Sequence, residues 1–313
     1  MIVIRFKNTL RCLIILFISV NFSSYGQQDP MYAQYMFNTL AINPAYAGSQ
    51  NYLSALLLSR HQWVGFEGAP STQNLTIHSP IRNQKSAFGF SYVHDKIGPT
   101  TQNIVYVDYA YKIKFSESVF LSLGLRGGAS VYNIDFTDVK TDQQEITPTA
   151  NKISSDILPN FGGGVFLQSE GFYLGISVPK ILKNKLNSGY IDSAGNGYLE
   201  RHYFLISGLI FSLSETVKFK PTTLIKYVNG TPISIDVSAN MLFNEKLWVG
   251  VLYKIQDAIG VNFQYVFDNS LKFGYAVDFS LSPIRSHSKG SHEFVIGFNF
   301  NFKQNKIISP RYF

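Results

Sequence analysis

The sequence is poor in three things, and each shortage removes a class of protein. Cysteine occurs once in 313 residues, at Cys12, so disulfides, thiolate metal clusters and a catalytic thiol in the body of the chain are excluded together. Charged residues make up 15%, against about 25% in an ordinary soluble domain. That is low for a cytosolic enzyme, while 45% hydrophobic and 15% aromatic content is too high for a disordered chain. Long apolar runs are also missing: a membrane helix needs about 20 apolar residues in succession, and the mean hydropathy is only +0.03. What remains is an all-β secreted domain or a membrane β-barrel, whose alternation of apolar and polar residues hides it from a hydropathy average.

At the N-terminus Arg5, Lys7 and Arg11 flank a short apolar run from Cys12 to Val20, and Ser24-Tyr25-Gly26 offers small residues where a signal peptidase reads. This predicts a signal peptide over 1–26, cleaved before Gln27. Its removal takes Cys12 and three basic residues, so the formal charge falls from +7 to +4 (24 minus 20). A surplus of that size, spread along the chain, is no nucleic-acid footprint, which needs Lys and Arg clustered on one face.

From about Tyr52 onward the period is two. Leu271, Phe273, Tyr275, Val277, Phe279 and Leu281 share one face of a strand, with Lys272, Gly274, Ala276, Asp278 and Ser280 on the other. The segments 233–243, 259–267 and 293–302 repeat the pattern, and weaker versions fall near 53–60, 71–79, 86–94, 101–114, 118–131, 157–168, 171–178, 201–213, 218–228 and 246–254. Together they predict about fourteen antiparallel strands, most long enough for a tilted bilayer crossing. The connections alternate too. Those after even-numbered strands are tight, as at 116–118, 169–171, 214–216 and 244–245, while those after odd ones are on average longer, including 61–70, 132–156, 179–200 and 282–290. Short periplasmic turns and long extracellular loops are the asymmetry of an outer-membrane barrel. The expected organisation is a signal peptide (1–26), an N-terminal periplasmic or plug segment (27–50), a transmembrane barrel (51–302) and a periplasmic tail (303–313). The apolar face meets outer-membrane lipid; the polar face, with Asp108, Lys112, Arg126, Asp236, Lys254, Lys272 and Asp278, lines a lumen too wide to be filled by its own side chains, and so either wet or plugged.

Little in the chain suggests catalysis. The six histidines lack metal-pair spacing, and Gly162-Gly163-Gly164 runs into a strand rather than a helix, which fits sheet curvature or close packing better than a phosphate loop. Ser54, Ser59 and His78 are the only loosely placed hydrolase candidates, and no cofactor is implied. Lys180, Lys183, Lys185, Arg285 and Lys289 read as solvated loop charges rather than a lipopolysaccharide site.

Between the cleavage site and the first strand, Asp29 can cap a short helix with Pro30 at its first position, Tyr32, Tyr35 and Met36 stand at helical spacing, and Asn43-Pro44 with Gly48 ends it. On physics alone this is a lumen plug or a periplasmic latch. Asp29-Pro30, Gln34-Tyr35 and Asn43-Pro44-Ala45-Tyr46-Ala47-Gly48 also resemble the opening signature of the PorP/SprF family of outer-membrane proteins, which belong to the type IX secretion and gliding system of the Bacteroidetes. The resemblance continues in Gln62-Trp63-Val64-Gly65-Phe66 with Ala69-Pro70, in Asp95-Lys96-Ile97-Gly98, in the glycine-rich stretch Leu123 to Gly128, in Pro159 to Gly164, and in the ending from His292-Glu293 to Ser309-Pro310-Arg311-Tyr312-Phe313. It implies a non-enzymatic role: binding and helping to export or anchor a particular adhesin-like surface protein through its type IX C-terminal domain, alongside the translocon and periplasmic ring or peptidoglycan-anchored components. Asp29, Pro30, Gln34, Tyr35, Asn43, Pro44, Ala45, Gly48, Gln62, Trp63, Pro310 and Arg311 become the candidate partner contacts, with 29–49 and the tail facing the periplasm. A passive solute channel is the alternative that the polar inner face suggests.

Overall fold

The computed structural model describes residues 29–81, 84–137, 152–184, 199–267 and 270–300; the expected signal peptide and the tail with Pro310 and Arg311 lie outside them. Sixteen strands follow in chain order: β1 (Leu53–His61), β2 (Ser71–Pro80), β3 (Ser86–Ile97), β4 (Thr100–Lys114), β5 (Phe120–Asp135), β6 (Lys152–Ser154), β7 (Leu158–Gln168), β8 (Phe172–Val178), β9 (His202–Leu209), β10 (Phe211–Ser212), β11 (Val217–Val228), β12 (Ser234–Phe243), β13 (Leu247–Lys254), β14 (Ala258–Phe267), β15 (Leu271–Ser280) and β16 (Ser291–Phe300). Among the described residues β6 pairs with β5 alone, off the main path, while β9 and β10 both pair with β11 and act as one strand. The break between them falls opposite the region of Pro221, which has no N–H for the ladder. Fourteen wall strands remain, antiparallel and each beside its sequence neighbour, and the pairing of β1 with β16 from Leu53↔Phe300 to His61↔His292 closes the ring. The chain is a closed fourteen-strand outer-membrane barrel.

The pleat sorts the side chains as the alternation predicts. Along β15, Leu271, Phe273 and Phe279 are exposed, whereas Gly274, Ala276, Asp278 and Ser280 are buried; outside the wall that exposed face is solvated by lipid. The strand ends joined by 81–85, 115–119, 169–171, 213–216, 244–246 and 268–270 lie at one end of the barrel, and those joined by 62–70, 136–157, 179–201, 281–290 and the short 98–99, 229–233 and 255–257 lie at the other. The short-turn end is the periplasmic one. β1 begins and β16 ends there.

The lumen is neither wet throughout nor lined only by polar groups. Residues 29–50 run inside the barrel, and nearly all of 32–50 are buried. Tyr35, Met36, Leu40, Ile42, Ala45, Tyr46 and Ala47 pack with the inward-facing Ala87, Ala110, Phe166, Tyr173, Phe204, Ile206 and Leu224 in one core. Tyr32 joins Leu56, Leu58 and Val295 in a second. The wall therefore carries apolar residues on both faces where the plug touches it, which is why the Ala55-Leu56-Leu57-Leu58 run in β1 shows no alternation.

Candidate functional site: the plug and its seat

The plug contains no α-helix. Three 3-10 turns, Tyr35–Phe37, Thr39–Ala41 and Pro44–Tyr46, replace the single helix expected from the spacing; short backbone bonds such as Phe37 N–H to Gln34 and Tyr46 N–H to Asn43 close each turn, and the wall bonds peptide groups that a continuous helix would have paired internally. Asp29 correspondingly caps nothing. Its carboxylate lies 2.5 Å from Lys180 Nζ, and its N–H donates to His202 Nε2 at 3.3 Å. Lys180 is thus a buried ion-pair partner, not a solvated loop charge. Burial alone would raise the Asp29 carboxyl, but the Lys180 ammonium, by charge and hydrogen bond, brings it below its ordinary value; burial likewise opposes the Lys180 charge, and Asp29 more than compensates, raising it.

The plug crosses the lumen from end to end. Asp29 meets Lys180, beyond the end of β8, and His202, at the start of β9; both belong to the long-loop mouth. At the other end Gly48 donates to His78 Nδ1 at 3.2 Å and accepts from Lys112 Nζ at 2.9 Å, and Ser49 accepts from Gln168, all near the short turns.

Between these ends two buried charge clusters grip the plug backbone. Glu293, fully buried on β16, accepts from the N–H groups of Ala33 and Gln34 at 2.7 and 2.8 Å. Arg60 backs it at 3.3 Å and reaches Asp278 at 2.8 Å. Arg126 forks onto Asp108, at 2.6 and 2.9 Å, and onto the carbonyls of Leu40 and Ala41, at 2.6 and 3.1 Å, with its guanidinium 4.6 Å from the Tyr106 ring. Peptide groups buried this deeply are cut off from bulk water, so these bonds stand in for ones a continuous helix would have made internally. Asn38 bonds Asn74 and Thr76, Ser177 donates to the Ile42 carbonyl at 2.7 Å, and the Tyr35 hydroxyl meets Thr222. Lys220, buried on β11, sits 5.4–5.6 Å from the rings of Phe37, Tyr173 and Trp248, so a plug aromatic completes a cation–π cage.

The third turn is the tightest fit. Asn43 caps it by accepting from the Ala45 N–H at 2.9 Å, Pro44 fills its first position, and Asn43 Nδ2 donates to the Val165 carbonyl at 3.0 Å. A β-carbon on Gly124 would lie 2.2 Å from Ala45 N, and one on Gly164 2.2 Å from Asn43 Oδ1. The glycines of β5 and β7 are therefore the seat of the Asn43-Pro44-Ala45 turn, close packing rather than a phosphate loop. Gly48 ends the segment at φ +65, against Ala87 and Pro80.

The candidate residues thus divide. Gln34, Tyr35, Asn43, Pro44, Ala45 and Gly48 are buried within the barrel, and Asp29 and Pro30 partly buried at its mouth. Gln62 and Trp63 lie in the 62–70 loop at the same mouth, where Gln62 N–H donates to Pro70 and Trp63 N–H to Ser291. Glu293 was legible only as part of the closing motif and Lys220 was not singled out; a charge at an inward-facing position of a strand was the available signal. The hydrolase candidates do not assemble: Ser54 faces His78 across β1 and β2 in register, but its hydroxyl donates to Asn299 while His78 serves Gly48. Among the described residues no three or more His, Cys, Asp or Glu side chains converge as metal ligands.

This order of motifs, now placed in plug and seat, is matched by a family model described as type IX secretion system membrane protein PorP/SprF, over residues 24–298. The chain belongs to the PorP/SprF family. It is thereby a membrane component of type IX secretion, and it resides in the outer membrane. Among solved structures, a Pseudomonas aeruginosa FadL homologue is similar at 12% identity and TM-score 0.50, covering 89% of this chain and 96% of that one. The CymD monoaromatic hydrocarbon channel gives 13% and 0.48, covering 90% and 97%, and the Ralstonia pickettii toluene transporter TbuX 10% and 0.48, covering 90% and 100%. At such identities the likeness concerns the fold alone. Among curated proteins, none matches the chain.

Proposed function

We propose that this PorP/SprF protein acts without catalysis, binding a particular surface protein at its long-loop face and helping to export or anchor it. The observation that carries the reading is the occupied lumen: wall charges and glycines are committed to holding residues 29–50, so the loops, not the bore, are the surface on offer. The closed ring leaves no free edge in the wall itself, so strand addition by a cargo C-terminal domain would use β6, which pairs on one side with β5. Periplasmic ring or peptidoglycan-anchored components would meet the short-turn end, where a cavity of about 430 Å3 opens among Lys85, Lys112, Lys114, Glu117 and Glu170. The motif residues Gln34, Tyr35, Asn43, Pro44, Ala45 and Gly48 serve on this view as the plug's own fastenings, while Asp29, Pro30, Gln62 and Trp63 border the outer binding face. A signal peptide over 1–26 delivers the chain to the periplasm. Deleting the gene should strip one surface protein, or a small set, from the cell while general type IX export continues; if every surface protein stays exported and attached, the reading fails.

A further inference from the structure

At the long-loop mouth a cavity of about 140 Å3 opens beside the plug's first residue, walled by Asp29, Asp95, Gln102, Tyr132, Lys180 and His202. Its charges are matched in pairs with one exception. Lys180 holds Asp29 at 2.5 Å, and Lys183 holds Glu200 at 2.7 Å. His202 Nε2 accepts the Asp29 N–H while Nδ1 faces the Glu200 carbonyl at 3.1 Å, the pattern of a neutral ring. Asp95 is 4% exposed, and its carboxylate has one donor, the Thr72 hydroxyl at 2.5 Å. Among the described residues no Lys or Arg pairs with it. A carboxylate taken out of water with a single neutral donor keeps most of its acceptor capacity and its charge uncompensated.

We infer that this cavity is a binding site for a cationic side chain, a lysine ammonium or arginine guanidinium carried by a polypeptide arriving from the long-loop side, with Asp95 as its counter-ion. The carboxylate supplies the charge; the Tyr132 ring offers a face for the cation or its methylene stem. Room for several waters, at about 30 Å3 each, admits the end of one such side chain but no folded element. The site rests on the secretion reading only for where the polypeptide comes from.

The test uses the full chain in detergent micelles, calorimetry, and three capped tripeptides: glycyl-lysyl-glycine, its arginine counterpart, and one with norleucine for lysine. Lysine and arginine peptides should saturate one site, with the norleucine peptide weaker by about tenfold or more, the factor that corresponds to about 1.4 kcal/mol. Asp95→Asn, which keeps the Thr72 bond, should reduce both cationic peptides to the norleucine level. Equal binding of lysine and norleucine peptides by the unaltered chain overturns the proposal, even if the variant does not fold. So does undiminished binding by a folded Asp95→Asn. Butylamine binding as tightly as the lysine peptide would overturn the polypeptide source and assign the site to free amines. Export in cells is read separately: an Asp95→Asn strain that exports normally although its purified barrel has lost the peptides leaves the site standing and sinks its link to cargo.

Discussion

Single residues hold this plug, and their effects can be ranked. Arg126 satisfies both Asp108 and two plug carbonyls while buried, so Arg126→Leu strands a buried carboxylate and should cost about 3–5 kcal/mol. Urea unfolding of the refolded barrel checks this, with Arg126→Leu/Asp108→Leu expected to recover much of the loss. Gly124→Ala drives a methyl into the Ala45 backbone and should destabilise by about 1–3 kcal/mol; faster proteolysis within 29–50, with the wall intact, is the readout. The Asp29–Lys180 pair gives a pH dependence with two signs. The lowered Asp29 value means its contribution is present above the ordinary carboxyl value near 4 and is lost as pH falls through the folded one. The raised Lys180 value means its contribution is present below about 10.5 and is lost as pH rises through the folded one. Amide protection near residue 31, taken relative to the intrinsic exchange rate at each pH, should therefore be greatest between these limits. Much of this scale was hidden in the sequence: Arg126 and Asp108 could be assigned to the inner face by parity, but their common duty to the carbonyls of residues 40 and 41 spans some eighty residues and leaves no local trace.

At the scale of elements the sequence was more readable. Strands buried on one side must alternate, so β12, β14, β15 and β16 could be placed within a residue or two of their bounds. β5, expected over 118–131, runs Phe120–Asp135 because it extends past the wall to pair with β6. The plug was the failure of type: tyrosines at helical spacing serve instead as anchors into separate wall pockets, Tyr32 toward β1 and β16 and Tyr35 toward Thr222 on β11. Since this one element fills the bore, removing residues 29–49 should turn a barrel silent in planar bilayers into one that conducts ions. Conduction by the full chain would revive the passive-channel reading.

For the molecule as a whole the direction of the plug sets what each side of the membrane can reach. Cys12 is the only cysteine, so single-cysteine probes in a Cys12→Ser background are clean. Asp29→Cys should react with an impermeant maleimide on intact cells, and Asn51→Cys only after the outer membrane is breached; the opposite result would invert the barrel. The same path constrains manufacture. The plug leads directly into β1, and β1 finds its second neighbour only in β16, the last strand of the wall. Ring closure must wait for the far end of the chain, a pairing of residues 231 to 247 apart in sequence (292 minus 61, 300 minus 53) and a slow step, and a segment gripped from all around cannot easily be threaded afterwards. Closure of the ring and loading of the bore are thus expected to be one event, leaving the finished barrel already stoppered.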